Sequence, residues 1–200
     1  MNYFSPANSA LVLIDHQVGT MGLIKNHALE TVRRNTLALA RMAVILDMPV
    51  VLTSSQEDQF QGPLMKELED ILPHAHAARI KRAGVVNAWD DAAFAGAVRA
   101  TGRSNLIMAG VTTDVCLVFP AISARSEGFG VQAVLDASGS PFGLSEEMAR
   151  RRMELAGVIL TATITVFAEL AHDWSSKEGT QLQKLLLEEV LAEVLAGVIG

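Results

Sequence analysis

A short, uniformly aliphatic run that ends in a carboxylate constrains the fold more than any other feature of this sequence. Residues 10–14 are all aliphatic, and Asp15 follows them directly. A strand inside a parallel sheet has both faces covered by crossover helices, so it reads as a continuous apolar run rather than as an alternation. We therefore predict a buried parallel strand here, with a polar group at its carboxyl end.

Strands and helices alternate along most of the remaining chain. Further strands are predicted at 50–53, 78–81, 105–109, 131–135 and 158–164. Helices are predicted at 28–48, 91–100, 114–126 and 145–156, the last with Ser145 as its N-cap. This alternation predicts an α/β fold, a three-layer α/β/α sandwich with a six-stranded, mainly parallel, Rossmann-like sheet. Ligands bind beyond the carboxyl ends of such strands, here near residues 15, 54, 82 and 111–116.

The C-terminal segment differs from the alternating part. The 200 residues are 50% apolar, which suits one domain at 1–176. Residues 177–200 are predicted to form an amphipathic helix that docks on this domain or on another subunit of a homo-oligomer. Its apolar stripe comprises Leu182, Leu186, Val190, Leu191, Val194, Leu195 and Val198, opposite Lys184, Glu188 and Glu193.

Charge and hydropathy disfavour two classes of partner. The net charge is −6 and no basic cluster is present, so nucleic acid is not expected to bind. No run of about 18 apolar residues occurs, and the N-terminal residues lack the features of a secretory signal, so no membrane partner is expected. The single cysteine fits a reducing compartment, and we predict a soluble, cytoplasmic protein.

Cys116 is the residue with the clearest chemical potential. It follows the predicted strand 105–109 and stands in the first turn of the next predicted helix. Free backbone N–H groups and the helix dipole at that position favour negative charge, so we expect a lowered thiol pKa and donors for an oxyanion. The alternative is a buried, inert cysteine, which is the more common role of a lone cysteine.

Two further charged positions are expected at the same edge of the sheet. Asp15 could take the proton of the thiol as a general base, although it could equally be a turn or capping residue. The pair Lys81 and Arg82 follows a short strand, and a cation beside the other two groups would favour their charged forms. Taken alone, such a basic pair is more often a solvated surface.

Several ordered blocks of sequence together resemble the isochorismatase-like cysteine hydrolase family, and within it the branch of octameric hydrolases of uncertain substrate. The resemblance extends from about residue 9 to residue 174. The blocks are Ala10 to Gln17, Asn87 to Asp90, Ala109 to Val111 with Asp114 to Cys116, Phe119 to Ala124, and Asp136 to Gly139.

The resemblance implies a catalytic triad of Asp15, Arg82 and Cys116, with Lys81 as the rival of Arg82. It also implies a cis peptide between Val111 and Thr112, and an oxyanion hole formed by the backbone N–H groups of Thr112 and Cys116. The implied substrate-pocket residues are Gln17, Asn87, Trp89, Val111 and Phe119.

The predicted function is therefore hydrolysis of a small amide-like or ester-like molecule through a thioester-type intermediate. No cofactor is expected, because glycine-rich phosphate-binding loops are absent. No metal is expected either: His74 and His76 lack further ligands nearby, and the zinc-ligand pattern of the nicotinamide-hydrolysing relatives is missing. The alternatives are a catalytically silent binding or scaffold protein with this fold, and a flavodoxin-like ligand-binding module.

Overall fold

The centre of the molecule is a parallel sheet. The structure, a computed structural model, describes residues 3–199, apart from the side chains at 193, 198 and 199. The strands are β1 (Ser9–Ile14), β2 (Val50–Ser55), β3 (Ile80–Arg82), β4 (Asn105–Gly110), β5 (Gly130–Val134) and β6 (Ile159–Thr161). They form one sheet in the order β3-β2-β1-β4-β5-β6, and all neighbours are parallel. The predicted α/β fold with six strands is confirmed, and its sheet is wholly parallel.

Helices connect the strands and extend the chain at its C-terminal end. The α-helices within residues 3–199 are α1 (Val18–Met21), α2 (Leu29–Ile45), α3 (Lys66–Ile71), α4 (Pro73–Ala77), α5 (Ala92–Ala100), α6 (Val118–Ser126), α7 (Gly143–Leu155), α8 (Thr163–Ala171), α9 (Lys177–Leu185) and α10 (Ala192–Ile199). Short 3-10 segments lie at Ala88–Asp90 and Leu135–Ala137, and wider π-type turns at Thr113–Leu117 and Leu186–Val190. In this described part of the chain, no helix is long and apolar enough to cross a membrane.

The aliphatic run of β1 is buried on both faces of the sheet. Leu11 and Leu13 belong to the apolar cluster that contains α2, α8 and α9. Ala10, Val12 and Ile14 belong to the cluster on the other face, with α5, α6 and α7. Since successive side chains of a strand point to opposite faces, both parities must be apolar when helices cover both. This gives the three layers of the predicted sandwich.

The strand order reverses between β1 and β4, and this reversal creates a crevice. From β1 the chain builds outward on one side to β2 and β3, and from β4 on the other side to β5 and β6. The crossovers on the two sides lie on opposite faces, so the loops diverge at this switch point. Ile14 pairs with Gly110, which brings Asp15 beside the loop after β4.

Two predicted strands have different bounds in the structure. The strand predicted at 78–81 is β3. It begins only at Ile80, because α4 and its terminal turn occupy the chain as far as residue 78, and it extends to Arg82. The strand predicted at 158–164 ends at Thr161, and α8 starts at Thr163 although its first residues are β-branched. Asp136 Oδ1 accepts hydrogen bonds from Thr163 N and Oγ1, both at 2.8 Å, and this long-range contact stabilises the helix start.

The predicted helix bounds also need correction. The helix predicted at 28–48 ends at Ile45. The helix predicted at 114–126 becomes regular only at Val118, after the π-type turn. Ser145 is not an N-cap: α7 has Phe142 in that position, and Ser145 Oγ donates to Phe142 O at 3.0 Å from inside the helix. Helices α1, α3 and α4 have no counterpart among the predicted helices, because each is too short to show a helical period.

The C-terminal segment is divided rather than one helix. The stretch predicted as an amphipathic helix consists of α9, the π-type turn Leu186–Val190 and α10. Leu182, Leu185, Leu186 and Val190 are buried in the cluster that includes α2, and Arg41 Nη1 of α2 lies 2.7 Å from Glu189 Oε2. The side chains of Glu193 and Val198, and residue 200, lie outside the described part. The stripe therefore packs on the chain's own core as far as Leu191, whereas Val194 is exposed.

Replacing Leu182 by Ala is expected to lower the free energy of unfolding by about 2–5 kcal/mol, because this fully buried side chain would leave a cavity between α9 and the core. Leu187, on the same segment, is 41% exposed and provides the matched control. Leu187→Ala should change the free energy by no more than about 0.5 kcal/mol. Urea unfolding at one protein concentration measures both, and equal effects would contradict the packing described here.

Candidate active site

Cys116 lies in the loop that leaves the carboxyl end of β4. The chain passes through the Val111–Thr112 peptide, which is cis, and then forms the π-type turn Thr113–Leu117. Three successive N–H groups of this turn, including that of Cys116 at 2.7 Å, donate to Thr112 O. The turn holds the cysteine at the switch point between β1 and β4.

The structure brings Asp15, Arg82 and Cys116 together. Arg82 Nη2 donates to both carboxylate oxygens of Asp15, at 2.5 Å to Oδ1. The Cys116 thiol lies near the same carboxylate, and each of the two groups shifts the pKa of the other. Asp15 and Arg82 are only 2% and 3% exposed. A carboxylate therefore links a cation to a thiol inside the crevice.

Asp15 turns the chain out of the sheet directly after β1. Its φ of 57° lies in the left-handed region, which aspartate tolerates better than most residues. Asp15 N donates to Thr53 O at 3.0 Å, and Thr20 Oγ1 donates to Asp15 O at 2.5 Å. These two bonds hold the backbone on both sides of the carboxylate, so its position is fixed by β2 and α1.

Arg82 has acceptors for all three guanidinium nitrogens. In addition to the Asp15 pair, Nε donates to Thr53 Oγ1 at 3.1 Å and Nη1 donates to Val85 O at 2.6 Å. A buried ion pair is tolerated only when the remaining donors are satisfied as well. Lys81, the rival cation, points elsewhere: its side chain is 60% exposed and its Nζ lies 3.1 Å from Glu57 Oε2.

The pKa of the Cys116 thiol is raised, not lowered as the sequence suggested. Burial has the largest effect, and the charge and the hydrogen bond of Asp15 raise the thiol pKa further. A hydrogen bond with the Thr112 backbone and the charge of Arg82 lower it, but by less. The predicted effect of the helix start is outweighed, because the half-buried cysteine lies beside a carboxylate. At neutral pH the thiol keeps its proton.

Burial also raises the pKa of Asp15. The charge of Arg82 and the hydrogen bonds from Arg82 and Cys116 oppose this effect. A carboxylate with a raised pKa binds a proton more readily than an exposed one. The pair is thus a protonated thiol that donates to a comparatively basic carboxylate.

The two groups face a cavity of about 240 Å³. Its lining comprises Asp15, Thr20, Leu23, Ser55, Gln56, Phe60, Gln61, Arg82, Gly84, Val85, Val86, Thr112, Val115 and Cys116. The walls come from the loops after β1, β2, β3 and β4. This is the crevice predicted at the carboxyl ends of the strands, and it is smaller than the roughly 300–1,000 Å³ of common ligand pockets.

None of the five predicted pocket residues lines this cavity. Gln17 instead binds the loop that forms one wall: its Oε1 accepts from Ser55 N at 2.8 Å, and its Nε2 donates to Ser55 O and Gly62 O. Gly19 touches the same loop, where a Cβ would lie 1.8 Å from Phe60 O. Gln17 thus positions the wall without contacting the cavity.

The other four predicted pocket residues are held by structural contacts. Val111 is fully buried in the core. Asn87 Oδ1 caps the segment Ala88–Asp90 by accepting from Trp89 N at 3.1 Å. Trp89 Nε1 donates to Glu127 Oε1 at 2.6 Å. The Phe119 ring packs under the guanidinium of Arg152, 5.0 Å from its centroid. These four residues therefore have packing and capping roles outside the cavity.

The backbone groups predicted for an oxyanion hole are both engaged in this conformation. Thr112 lines the cavity, and its backbone hydrogen-bonds to the Cys116 side chain, an interaction that lowers the thiol pKa. The N–H of Cys116 is already bonded to Thr112 O, so it is not free to receive an oxyanion in this conformation. The loop is supported from β5: Gly110 N donates to Ser138 Oγ at 3.1 Å and Thr113 N to Gly139 O at 2.9 Å.

The described residues do not form a metal site. Among residues 3–199, no three His, Cys, Asp or Glu side chains lie close enough to form a metal site. His74 and His76 belong to α4 rather than to the extended segment that their spacing would need for joint ligation.

Comparison with known proteins identifies the family. The model of the isochorismatase domain matches residues 9–165. The probable hydrolase YcaC of Escherichia coli K12 is 41% identical over 167 residues, which cover 84% of this chain and 79% of that protein. The chain belongs to the isochorismatase family. As a member of this family with hydrolase relatives, it is a hydrolase, and the resemblance found in its sequence is confirmed.

Two solved isochorismatase-family structures share the whole fold. YcaC from Pseudomonas aeruginosa, with hexane-2,5-diol and covalent acrylamide, has a TM-score of 0.90 and 37% identity, covering 100% of this chain and 98% of that one. The E. coli YcaC gene product, described as an octameric hydrolase of unknown specificity, has a TM-score of 0.90 and 36% identity, covering 99% and 97%.

Several residues at this site are not predicted by any sequence motif. Thr53 Oγ1 accepts a hydrogen bond from Arg82, the residue that also pairs with Asp15. The cavity is lined in addition by Gln56, Phe60, Gln61 and Val85. Their only sequence signal is position: all follow, or stand near, the carboxyl ends of β2 and β3, where ligands of parallel sheets bind.

His16, beside Asp15, is fully buried, and its Nε2 donates to Ala137 O at 2.9 Å. Burial lowers the pKa of His16 from 6.5 to about 4. Between these pH values, His16 is therefore protonated in the unfolded chain but not in the folded chain. Stability should fall by about 3 kcal/mol as the pH drops through this window.

Urea unfolding at fixed protein concentration between pH 8 and pH 4 would measure this loss. His16→Gln can keep the donor to Ala137 O but has no titrating ring, so its stability should depend less on pH. His27→Gln, at an exposed position, is the control. The same pH dependence in wild type and His16→Gln would refute the assignment.

Proposed function

We propose that the chain is a cysteine-dependent hydrolase of small amide-like or ester-like molecules, with Cys116 as nucleophile, Asp15 as general base and acid, and Arg82 as their electrostatic partner. One observation supports this above all others: the thiol and a buried, cation-paired carboxylate line the same cavity, and the carboxylate is close enough to raise the thiol pKa. Nucleophile, base and orienting group then occupy the relative positions that covalent catalysis needs.

In the acylation step, Asp15 takes the thiol proton as Cys116 Sγ attacks the carbonyl carbon of the substrate. The carbonyl oxygen becomes an oxyanion, which we assign to the N–H of Thr112. When the tetrahedral intermediate collapses, the bond from carbon to nitrogen or oxygen breaks. Asp15 returns its proton to the leaving amine or alcohol, and a thioester remains on Cys116.

In the deacylation step, Asp15 takes a proton from water as the water oxygen attacks the thioester carbon. Collapse of the second intermediate breaks the carbon–sulfur bond, and the proton held by Asp15 goes to Cys116 Sγ. The products are the acid and the free enzyme. Arginine stays protonated throughout, so Arg82 stabilises the carboxylate and orients it but transfers no proton.

The relatives support two parts of this proposal. The P. aeruginosa YcaC structure contains covalent acrylamide, a small uncharged amide, and we infer that this chain's cavity admits molecules of that kind. The E. coli YcaC is octameric, and we propose that this chain also forms a homo-oligomer, to which the segment 177–200 could contribute. A single free thiol that serves as nucleophile would stay reduced in the cytoplasm, the location predicted from the sequence.

Substituting Asp15 by Asn is expected to separate thiol reactivity from turnover. The loss of the negative charge should move the pH midpoint of Cys116 alkylation downward, because Asp15 raises the thiol pKa. Hydrolysis should nevertheless fall by about 10²–10⁴-fold, since the base is gone. Intact mass after treatment with acrylamide measures the first effect, and hydrolysis of p-nitrophenyl acetate and of simple carboxamides measures the second.

Cys116→Ser is the control, and it should neither alkylate at this position nor form an acyl adduct. A Cys116 that stays unreactive in the folded wild-type protein at every pH would support the silent binding or scaffold protein instead.

Substitutions of Arg82 and of Lys81 should have very different effects on the rate of hydrolysis. Arg82→Lys removes the bidentate contact and the bonds to Thr53 and Val85, so the rate of hydrolysis is expected to fall by at least about tenfold. Lys81→Ala removes only an exposed ion pair with Glu57 and should leave the rate within about twofold. Steady-state kinetics compare them, and a larger loss in Lys81→Ala would reverse the assignment.

A further inference from the structure

We propose that Thr53 is a positioning residue of the active site, because it holds both members of the Asp15–Arg82 pair at once. This inference rests on the function proposed above and adds to it a residue that is neither a member of the triad nor a part of the cavity lining. Thr53 is fully buried in β2, and it does not line the cavity. Any effect of its side chain on hydrolysis therefore passes through the two charged groups.

The position of Thr53 in β2 explains how one residue reaches both groups. Thr53 pairs with Ile14 of β1 on one side and with Ile80 of β3 on the other. Asp15 directly follows Ile14, and its N–H donates to Thr53 O at 3.0 Å. Arg82 lies on β3, and its Nε donates to Thr53 Oγ1 at 3.1 Å. The backbone of Thr53 thus holds the base, and its side chain holds the cation.

The Thr53 hydroxyl group is oriented by a further contact. Its Oγ1 donates to Ile80 O at 2.8 Å. A hydroxyl group has one proton, so once this proton is committed to Ile80 O, its lone pairs remain for a donor, which is Arg82 Nε. Because the guanidinium group is planar, a bond at Nε also fixes the plane in which Nη2 meets the Asp15 carboxylate. The hydroxyl group therefore sets the direction from which the cation approaches the base.

The charge balance at the thiol depends on this alignment. The charge of Asp15 raises the pKa of the Cys116 thiol, and the charge of Arg82 lowers it. Arg82 also lowers the pKa of Asp15, against the larger effect of burial. With the guanidinium group displaced from Asp15, both pKa values would rise. Loss of the Thr53 hydroxyl group should thus raise the thiol pKa, whereas loss of the Asp15 charge should lower it.

Thr53→Val tests this role, because valine has nearly the shape of threonine but lacks the hydroxyl group. At a fixed pH below the thiol pKa, the rate of Cys116 alkylation follows the ionised fraction of the thiol. We expect Thr53→Val to lower the rate of alkylation by acrylamide by about three- to tenfold, opposite in direction to Asp15→Asn. Intact mass against time measures the rate. An unchanged or faster alkylation in Thr53→Val would overturn the proposal.

Three further variants separate positioning from a general effect on the fold. Thr53→Ser keeps the hydroxyl group and should restore the wild-type rate of alkylation. Thr53→Ala lacks it and needs less room than threonine, so the test does not depend on the folding of one variant. Thr163→Val is the matched control, since Thr163 is also fully buried but its hydroxyl group donates to Asp136 at the start of α8. Thr163→Val should leave the rate within about twofold.

A double-mutant cycle tests whether Thr53 acts through Arg82. Arg82→Met has no donor for the Thr53 hydroxyl group and no charge to align. In that protein, Thr53→Val should change the rate of Cys116 alkylation by no more than about twofold, because the interaction that it removes is already absent. Equal effects of Thr53→Val with and without Arg82 would show that Thr53 does not act through this residue.

Steady-state hydrolysis provides an independent measurement. Because Thr53 does not line the cavity, Thr53→Val should lower kcat by about tenfold and leave KM within about twofold. A loss confined to KM would contradict the positioning role.

The two kinds of measurement distinguish this proposal from the catalytic function. If Thr53→Val slows alkylation but the wild-type protein hydrolyses no amide or ester, the catalytic function fails while the positioning of the pair stands. If the wild-type protein hydrolyses such molecules and Thr53→Val equals it in alkylation and in kcat, the catalytic function stands and the role of Thr53 fails.

Discussion

The buried pair of Asp15 and Arg82 is the interaction on which the site depends. Removing two charges from water is costly, and the attraction between them compensates only when the geometry is good and the remaining donors are satisfied. Here Thr53 and the Val85 carbonyl satisfy the rest of the guanidinium. The first three strands and the loop after β3 must therefore be in place together, because each contributes a partner to one ion pair.

The pair also determines the state of the thiol. A cysteine beside a cation alone would be expected to ionise readily, but the carboxylate lies between Arg82 and Cys116, and burial adds to its effect. The resting enzyme accordingly holds a protonated thiol against a base. In the mechanism proposed above, such a thiol would lose its proton to Asp15 only as it attacks a bound substrate.

The cavity is small because the loops around it are tied to the sheet and to one another. Gln17 holds the loop after β2 through its amide group, and Ser138 and Gly139 hold the loop after β4. All three guanidinium nitrogens of Arg82 are engaged, and apart from Arg82, Asp15 and Cys116 the cavity is lined by neutral side chains. The shape of the cavity thus follows from the same contacts that position Asp15, Arg82 and Cys116.

The sequence by itself determined the α/β class, the parallel sheet and the crevice, because aliphatic runs covered on both faces and polar residues at strand ends are local patterns. It also pointed to Asp15, Arg82 and Cys116. Only the tertiary structure decided the direction of the thiol pKa, the helix at 163–171 capped by Asp136, and the cavity walls at Gln56, Phe60 and Gln61. These depend on partners far along the chain, and a local pattern carries no information about such distances.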